Sequence, residues 1–357
     1  MIDSSRERIP TYKPMLIGKD TFLKVFTGRK DIIDDITDML RRKIHQHLIL
    51  VGPRGIGKTT LLTRILYIVL DDTVLENVWK PIIFKEDAYR NIFDLNTFIM
   101  MLRVGMEQNG IRFRDSASPD ADENGFESFI RDLQEYHRDT GHHILLLLDN
   151  LHSIIRRLRK TEDLNRFRSL LYNEPYLMVI GTSLLNPGDI FDYEHPLFRL
   201  FDVRHLAPFT DDEVRQMVDR LIMISPAGDM PESNKEHIQN AIHQITFITN
   251  GYPRLVKILF DLMLVHRFEN TFETLLTALD ELSEYYSNRL DALSPEEERI
   301  VNYMMSKGMS MTTSDIARHF NRNIPEVYSI IVRLEDKGFI RVNRHVNRDR
   351  KRPGDRG

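Results

Sequence analysis

One eight-residue segment constrains this chain more than any other: Gly52-Pro-Arg-Gly-Ile-Gly-Lys-Thr59. It matches the pattern G-x4-G-K-[ST], and its surroundings are those the pattern needs. Just before it, His47-Leu-Ile-Leu-Val51 is a short continuous apolar run that reads as a buried parallel strand. Just after it, Lys58 to Leu70 has helical spacing. A glycine-rich bend between strand and helix can curl so that its N–H groups point inward. Those donors, with the positive end of the helix, form a cradle for phosphate. Lys58 would then reach the β- and γ-phosphates of ATP, or the β-phosphate of ADP, and the Thr59 hydroxyl would ligate Mg²⁺. The nucleotide-loop candidates are Gly52, Pro53, Arg54, Gly55, Ile56, Gly57, Lys58, Thr59 and Thr60.

Such a site needs an acid at the end of a neighbouring strand. His143-Ile-Leu-Leu-Leu-Leu-Asp149 supplies it, with Asp149 at the carboxyl end, where ligands gather in open α/β sheets. Asp149 would hold the magnesium through water. Pro81–Lys85, Leu177–Ile180 and Val203–Leu206 read as three further strands, which makes five, with helices alternating among them. Asp31–Arg42, Asn96–Met106 and Phe126–Tyr136 have helical spacing, and Asn109–Asn124 reads as a polar surface excursion. Strand–helix alternation predicts a doubly wound parallel sheet.

After Pro208 the alternation stops. Thr210–Ile224, Lys235–Thr249, Pro253–His266 and Thr271–Tyr286 read as helices, with a loop at Pro226–Ser233. The expected domains are an N-terminal arm (1–20), a nucleotide-binding domain (21–208), a helical lid (209–290) and a C-terminal domain (291–357).

Composition removes several function classes. Cysteine is absent from the 357 residues, so disulfides, thiolate zinc sites and cysteine nucleophiles are excluded. The longest apolar run, Ile65–Leu70, falls far short of the ~20 residues of a membrane span. The N-terminus has no apolar signal region. A cytoplasmic protein with no membrane partner is the expectation. The net charge of −4 hides an asymmetry: residues 341–357 hold seven Lys/Arg and two Asp, which leaves 42 basic against 51 acidic residues elsewhere. A basic tail on an acidic body is either a local phosphate footprint or simply a solvated end.

These motifs together resemble the AAA+ ATPases, and two neighbouring groups within them, over residues 20–340. The groups are the origin-recognition initiators, which carry a winged helix behind the ATPase, and the STAND signalling ATPases. The resemblance implies a P-loop NTPase with an AAA+-type parallel five-stranded sheet, a helical lid and a C-terminal winged-helix domain. Phe26-Thr-Gly-Arg29 looks like the F-x-G-R element near adenine and ribose, which marks Phe26, Gly28 and Arg29. Leu177-Met-Val-Ile-Gly-Thr182-Ser183 looks like the strand whose polar end touches the γ-phosphate or attacking water, with Thr182 and Ser183 as candidates. Gly251-Tyr-Pro-Arg254 looks like the start of the lid helix whose arginine senses nucleotide, here Arg254. Arg199, in His195-Pro-Leu-Phe-Arg-Leu-Phe201, is the candidate finger toward a neighbour's nucleotide in an ATP-dependent homo-oligomer.

Most of these ATPases follow the magnesium acid with Glu, and here Asn150 follows. An amide orients water but cannot take its proton. Losing a positioned base costs roughly 10²- to 10⁴-fold in rate. Hydrolysis is therefore slow, or another carboxylate serves: Glu86 or Asp87 at the end of the neighbouring strand, with His152 a weaker candidate.

At the C-terminus, Ser294-Pro-Glu-Glu reads as a capped helix start, with Ser294 as N-cap, Pro295 at N1 and Glu297 at N3. Thr312–Phe320 is a short second helix, Ile324–Lys337 a third, and Phe339–Val342 a strand after Gly338. That order resembles a MarR-like winged helix. It would put Arg322, Asn323, Tyr328, Ser329 and Arg333 toward a major groove. Arg341, Arg344, Arg348, Arg350, Lys351 and Arg352 would lie against phosphates of duplex DNA. The competing reading gives this domain a protein partner. Three functions follow: a DNA-associated ATPase switch, a STAND-type signalling ATPase such as one in antiviral defence, and an ATP-responsive transcription regulator.

Overall fold

The computed structural model describes residues 17–113, 125–158, 160–184, 195–224, 239, 242–265, 293–307, 311–336 and 340. The chain divides into two compact units, residues 1–284 and 285–357.

The first unit begins with helices α1 (Lys19–Val25) and α2 (Lys30–Arg41) and strand β1 (His47–Val51). Helices α3 (Lys58–Asp71) and α4 (Thr73–Glu76) lead to β2 (Trp79–Phe84) and a 3-10 turn at Glu86–Asn91. Then come α5 (Leu95–Gln108), α6 (Gly125–Thr140), β3 (His143–Leu148), α7 (Leu151–Arg157), α8 (Thr161–Asn173), β4 (Leu177–Ser183) and β5 (Phe201–His205). All five strands are parallel, in the order β2-β3-β4-β1-β5. The central strands β1 and β4 are buried throughout, and β3 is buried from Ile144 on, as continuous apolar runs under helices require. The edge strand β2 tolerates Pro81, which has no N–H to give a second neighbour.

The strand bounds differ from those the apolar runs suggested. β2 starts two residues earlier, because Trp79 is fully buried and its indole Nε1 donates to the Leu40 carbonyl at 3.0 Å. β5 starts at Phe201, which pairs with His47. The expected arm, residues 1–20, is cut into by α1: Lys19 and Asp20 are helical, and residues 1–16 lie outside the described part.

The same unit continues as α9 (Asp211–Ile224), α10 (Ile242–Thr249) and α11 (Pro253–Val265). Thr210 and Glu213 cap α9 reciprocally: Glu213 N donates to Thr210 Oγ1 at 3.3 Å, and Thr210 N to Glu213 Oε2 at 3.0 Å. Phe209, Val214, Val218, Leu221, Ile245, Val256, Leu259 and Phe260 form a separate apolar core. The expected helix Thr271–Tyr286 and loop Pro226–Ser233 lie outside the described residues.

In the second unit, α12 (Pro295–Lys307), α13 (Thr313–Phe320) and α14 (Ile324–Asp336) enclose Ile300, Val301, Ile316, Val327, Ile330 and Leu334. Ser294 and Glu297 exchange hydrogen bonds at 2.8 and 3.3 Å, the capping pair the sequence predicts. Thr312 and Asp315 do the same for α13. The expected strand at Phe339–Val342 lies outside the described residues except for Ile340.

Candidate functional site

The carboxyl ends of β1, β3 and β4 meet one bend. Val51 ends β1, the glycine loop turns, and α3 starts at Lys58 directly after Gly57, whose φ of 99° lies where a side chain is strained. Lys58 is buried, and its Nζ donates to the carbonyls of Gly52 at 2.5 Å and Pro53 at 3.0 Å. Burial pushes this amine down to about 8, against the opposing pull of Asp149. A buried ammonium whose partners are two neutral carbonyls has room for a stronger anionic partner.

Around Lys58 runs a chain of short hydrogen bonds. Thr59 Oγ1 donates to Asp149 Oδ2 at 2.8 Å, and Thr182 Oγ1 donates to Asp149 Oδ1 at 2.7 Å. Thr182 in turn accepts from the Asn150 backbone N–H at 2.7 Å. Asn150 Nδ2 donates to Glu86 Oε1 at 2.6 Å, which links the ends of β2, β3 and β4. The register explains why: Leu50 of β1 lies beside Thr182 of β4, and Leu148 of β3 beside Gly181. Among the described residues no cluster of three or more His, Cys, Asp or Glu could hold a metal by itself. The Thr59 hydroxyl and the Asp149 carboxylate are hard oxygen donors. They fit Mg²⁺, which commonly takes one or two protein oxygens and completes its shell from phosphate and water.

A cleft of about 610 Å³ opens over this chain. Arg54, Gly55, Ile56, Gly57, Lys58, Thr59 and Thr60 line its floor, with Glu86, Asp87, Asp149, Asn150 and Thr182 on one side. Phe22, Val25, Phe26, Phe209, Met217 and Leu221 give it an apolar wall, and Arg29, Arg254 and Lys257 bring positive charge. Arg29 takes left-handed backbone at φ 64° and lies 4.9 Å from the Phe209 ring. It donates to the carbonyls of Ala207 and of Ile56, the latter at 3.0 Å, so it ties the wall to the loop. Burial lowers its pKa, with Glu213 acting in the opposite direction.

Gly251 fixes how the helical part approaches. Its φ is 65°, and a Cβ there would stand 2.2 Å from the Phe209 carbonyl oxygen. Its own carbonyl accepts from Phe209 N at 2.8 Å, and three residues on, Arg254 N donates to the Gly55 carbonyl at 3.3 Å.

Several sequence candidates stand elsewhere. Gly28 and Ser183 do not line the cleft, and Gly52 and Pro53 bear on it through the carbonyls that accept from Lys58. Gly28 packs against Glu213 and Phe209, while the Ser183 carbonyl accepts from Gly52 N at 3.2 Å. Arg199 is exposed at φ 57°, ahead of β5 and away from this cleft. His152 also stands off it, with Nδ1 accepting from Leu184 N at 3.4 Å. Two cleft features escaped the sequence reading. The α1 residues Phe22 and Val25 carry no motif, and Lys257 lies one helical turn beyond Arg254. That i,i+3 spacing was the available signal for Lys257.

In the second unit, the groove-facing candidates have partners of their own. Arg322 pairs with Glu296 at 2.5 Å, and Arg333 reaches the buried Glu297 at 3.2 Å and Ser329 at 3.1 Å. Asn323 caps α14, accepting from Glu326 N at 2.9 Å, and Tyr328 is half exposed. Arg341, Arg344, Arg348, Arg350, Lys351 and Arg352 lie outside the described residues.

Sheet order, glycine loop and strand-end acid together define the P-loop NTPase fold. Within it, residues 25–180 match the family described as AAA ATPase domain. A Walker-type ATPase of Pyrococcus abyssi, PABY2304, shares the fold at a TM-score of 0.58 and 17% identity, over 87% of this chain and 90% of its own. Orc2 of Aeropyrum pernix, in ADPNP–ADP complexes, aligns at 0.58 and 12% identity over 90% of each chain. Orc1 of the same organism, in complex with DNA, aligns at 0.50 and 16% identity, over 91% of this chain and 87% of its own. No curated protein matches the sequence. Among the described residues no helix is long and apolar enough to cross a membrane.

Proposed function

We propose that this protein is an ATP-dependent switch that binds ATP or ADP with Mg²⁺ in the 610 Å³ cleft and hydrolyses ATP slowly. One observation carries the reading: a buried Lys58, held only by neutral carbonyls, stands beside a Thr59–Asp149–Thr182 chain at the foot of an apolar wall. The lysine and loop amides suit the phosphates, and Phe26, Phe209, Met217 and Leu221 suit the base. Thr59 and Asp149 would hold the magnesium, which neutralises phosphate charge when bound. Arg254 and Lys257, on a helix anchored to the loop through Gly55, would carry the state of the nucleotide into the helical part. Arg199, exposed and off the cleft, is left to complete a neighbouring copy's site in a homo-oligomer.

The switch acts on duplex DNA in this reading, through the basic stretch after Arg341. The ion pairs of Arg322 and Arg333 inside the second unit favour a second reading for its helical face, a protein contact as in STAND-type ATPases. Equilibrium binding of labelled ATP and ADP to the wild-type chain and to Lys58→Ala tests the core of the proposal. Equal affinity in both proteins would remove it. Mass measurement with ADP, with a non-hydrolysable ATP analogue, and with the analogue plus duplex DNA then separates the readings. Salt-sensitive duplex binding that disappears on deleting residues 293–357 supports the DNA switch. ADP retained through purification with no DNA binding supports the protein-contact reading.

A further inference from the structure

The carboxylate missing after Asp149 stands one strand away. Asn150 sits at φ 61° at the start of α7, a left-handed backbone that asparagine tolerates better than most residues. Its Nδ2 donates to Glu86 Oε1 at 2.6 Å. A carboxylate only accepts, so this bond fixes which end of the amide faces Glu86. The other end, Oδ1, is buried without a hydrogen-bond partner. That end is closed to solvent, so Asn150 meets Glu86 through Nδ2. Both side chains line the cleft with Lys58, Thr59 and Asp149, so the Glu86 carboxylate shares that space with the γ-phosphate of a bound ATP.

Glu86 opens the 3-10 turn Glu86–Asn91, whose Tyr89 is buried and donates its hydroxyl to the Phe84 carbonyl at 3.1 Å. The turn thus anchors back onto the end of β2, beside the exposed Glu86.

Resting on the ATP reading above, we infer that Glu86 is the general base of hydrolysis and Asn150 its positioning residue, with the attacking water held on the free oxygen of the Glu86 carboxylate. The water donates one hydrogen to the carboxylate, which turns a lone pair toward the γ-phosphorus. As the new O–P bond forms, Glu86 takes the proton. The bond from the γ-phosphorus to the β,γ-bridging oxygen breaks, and its electron pair leaves on ADP. The proton then passes from Glu86 to the released phosphate, so one ATP and one water become ADP and inorganic phosphate.

The test uses the full chain with Mg²⁺, measuring ATP turnover and the affinity for a fluorescent ATP analogue side by side. Glu86→Gln keeps the shape of the side chain and is expected to lower turnover ~10²- to 10³-fold, with affinity and melting temperature near wild type. Asn150→Ala is expected to lower turnover about tenfold. The double variant should be no slower than Glu86→Gln alone, because Asn150 acts through Glu86. A purely structural role would make the two losses multiply, and that result overturns the assignment. So does Glu86→Gln turning over at the wild-type rate, or wild-type turnover no faster than Lys58→Ala while ATP still binds. Absence of ATP binding by the wild-type chain would instead sink the nucleotide reading on which this one rests.

Discussion

The two ends of the parallel sheet are built on opposite principles. At the carboxyl ends of the strands, polar groups are buried with partners that a ligand could replace: Lys58 on two carbonyls, Thr59 and Thr182 on one carboxylate, Asn150 with an unused oxygen. At the amino ends, polar groups are closed off among rings. His143 stacks on His45 at 4.8 Å and lies 5.1 Å from Trp79, while His137 stacks on Tyr176 at 4.7 Å. His47 is satisfied at both nitrogens, by the Leu171 carbonyl at 2.9 Å and the Val179 amide at 3.0 Å. One end is left incomplete and can respond to a ligand. The other is largely closed, with His142 Nδ1 its one unpartnered buried nitrogen among the described residues, and holds the sheet that presents the first.

If that division is real, substitutions at the two ends should fail in different ways. The largest effect is expected at the closed end. Trp79→Ala empties a fully buried site and removes the indole bond to the Leu40 carbonyl, for a loss of about 3–5 kcal/mol in denaturant unfolding. The protein that remains folded should bind nucleotide as before. Lys58→Ala is the mirror case: ATP affinity falls at least ~10²-fold, or about 2.7 kcal/mol, with little change in unfolding free energy. Should Lys58→Ala instead unfold the protein at unchanged affinity, the incomplete end would be a structural one and the contrast would vanish. Gly251→Ala probes the connection to the helical part. Its Cβ meets the Phe209 carbonyl at 2.2 Å in left-handed backbone, so a cost of about 1–3 kcal/mol is expected. Because Phe209 is part of the cleft wall, affinity should fall with stability in this variant alone.

How far the sequence shows these two ends differs as well. The open end is legible because its chemistry is local: eight consecutive residues carry the loop, and an apolar run ending in Asp149 carries its partner. Strand existence was equally plain, since His47–Val51 and Ile144–Leu148 are unbroken apolar runs. The strand order was not read, because crossovers leave no mark on neighbouring residues. The closed end is invisible for the same reason: His45, Trp79, His137, His143 and Tyr176 are dispersed over 132 positions and meet only once the strands are in order. Lys257 falls between these cases, a helical turn from Arg254 but meaningful only when the cleft is seen. Arg322 and Arg333 mark a further limit. Their placement on a polar helix face was readable, but their pairing with Glu296 and Glu297 depends on how α12 and α14 pack.

The smallest expected effect is a pH dependence to which the closed end contributes. Burial pushes the His143 imidazole down to about 4, with His45, His137 and Lys43 adding in the same direction. His45 and His47 are lowered by burial too. His45 Nε2 and His143 Nδ1 share one hydrogen bond at 2.9 Å, which one proton can satisfy and two would break. The unfolded chain takes up these protons near 6.5, before the folded one does. The stabilisation is therefore fully present above about 6.5 and is lost as pH falls toward about 4. The carboxylates act in a lower window: Asp72, Asp94, Asp211 and Asp315 are all held below their ordinary value by hydrogen bonds. Their contribution persists until pH drops beneath the imidazole range. His152, near the cleft, is also lowered to about 4, so the imidazole slope is not owed to one end alone. Urea unfolding of wild type, His143→Phe and His152→Phe at pH 7 and pH 5 apportions it. The His143 variant should lose less stability between the two pH values than wild type does. An unchanged slope in His143→Phe, with a flattened one in His152→Phe, would move the titration to the open end and reverse the assignment of the two ends.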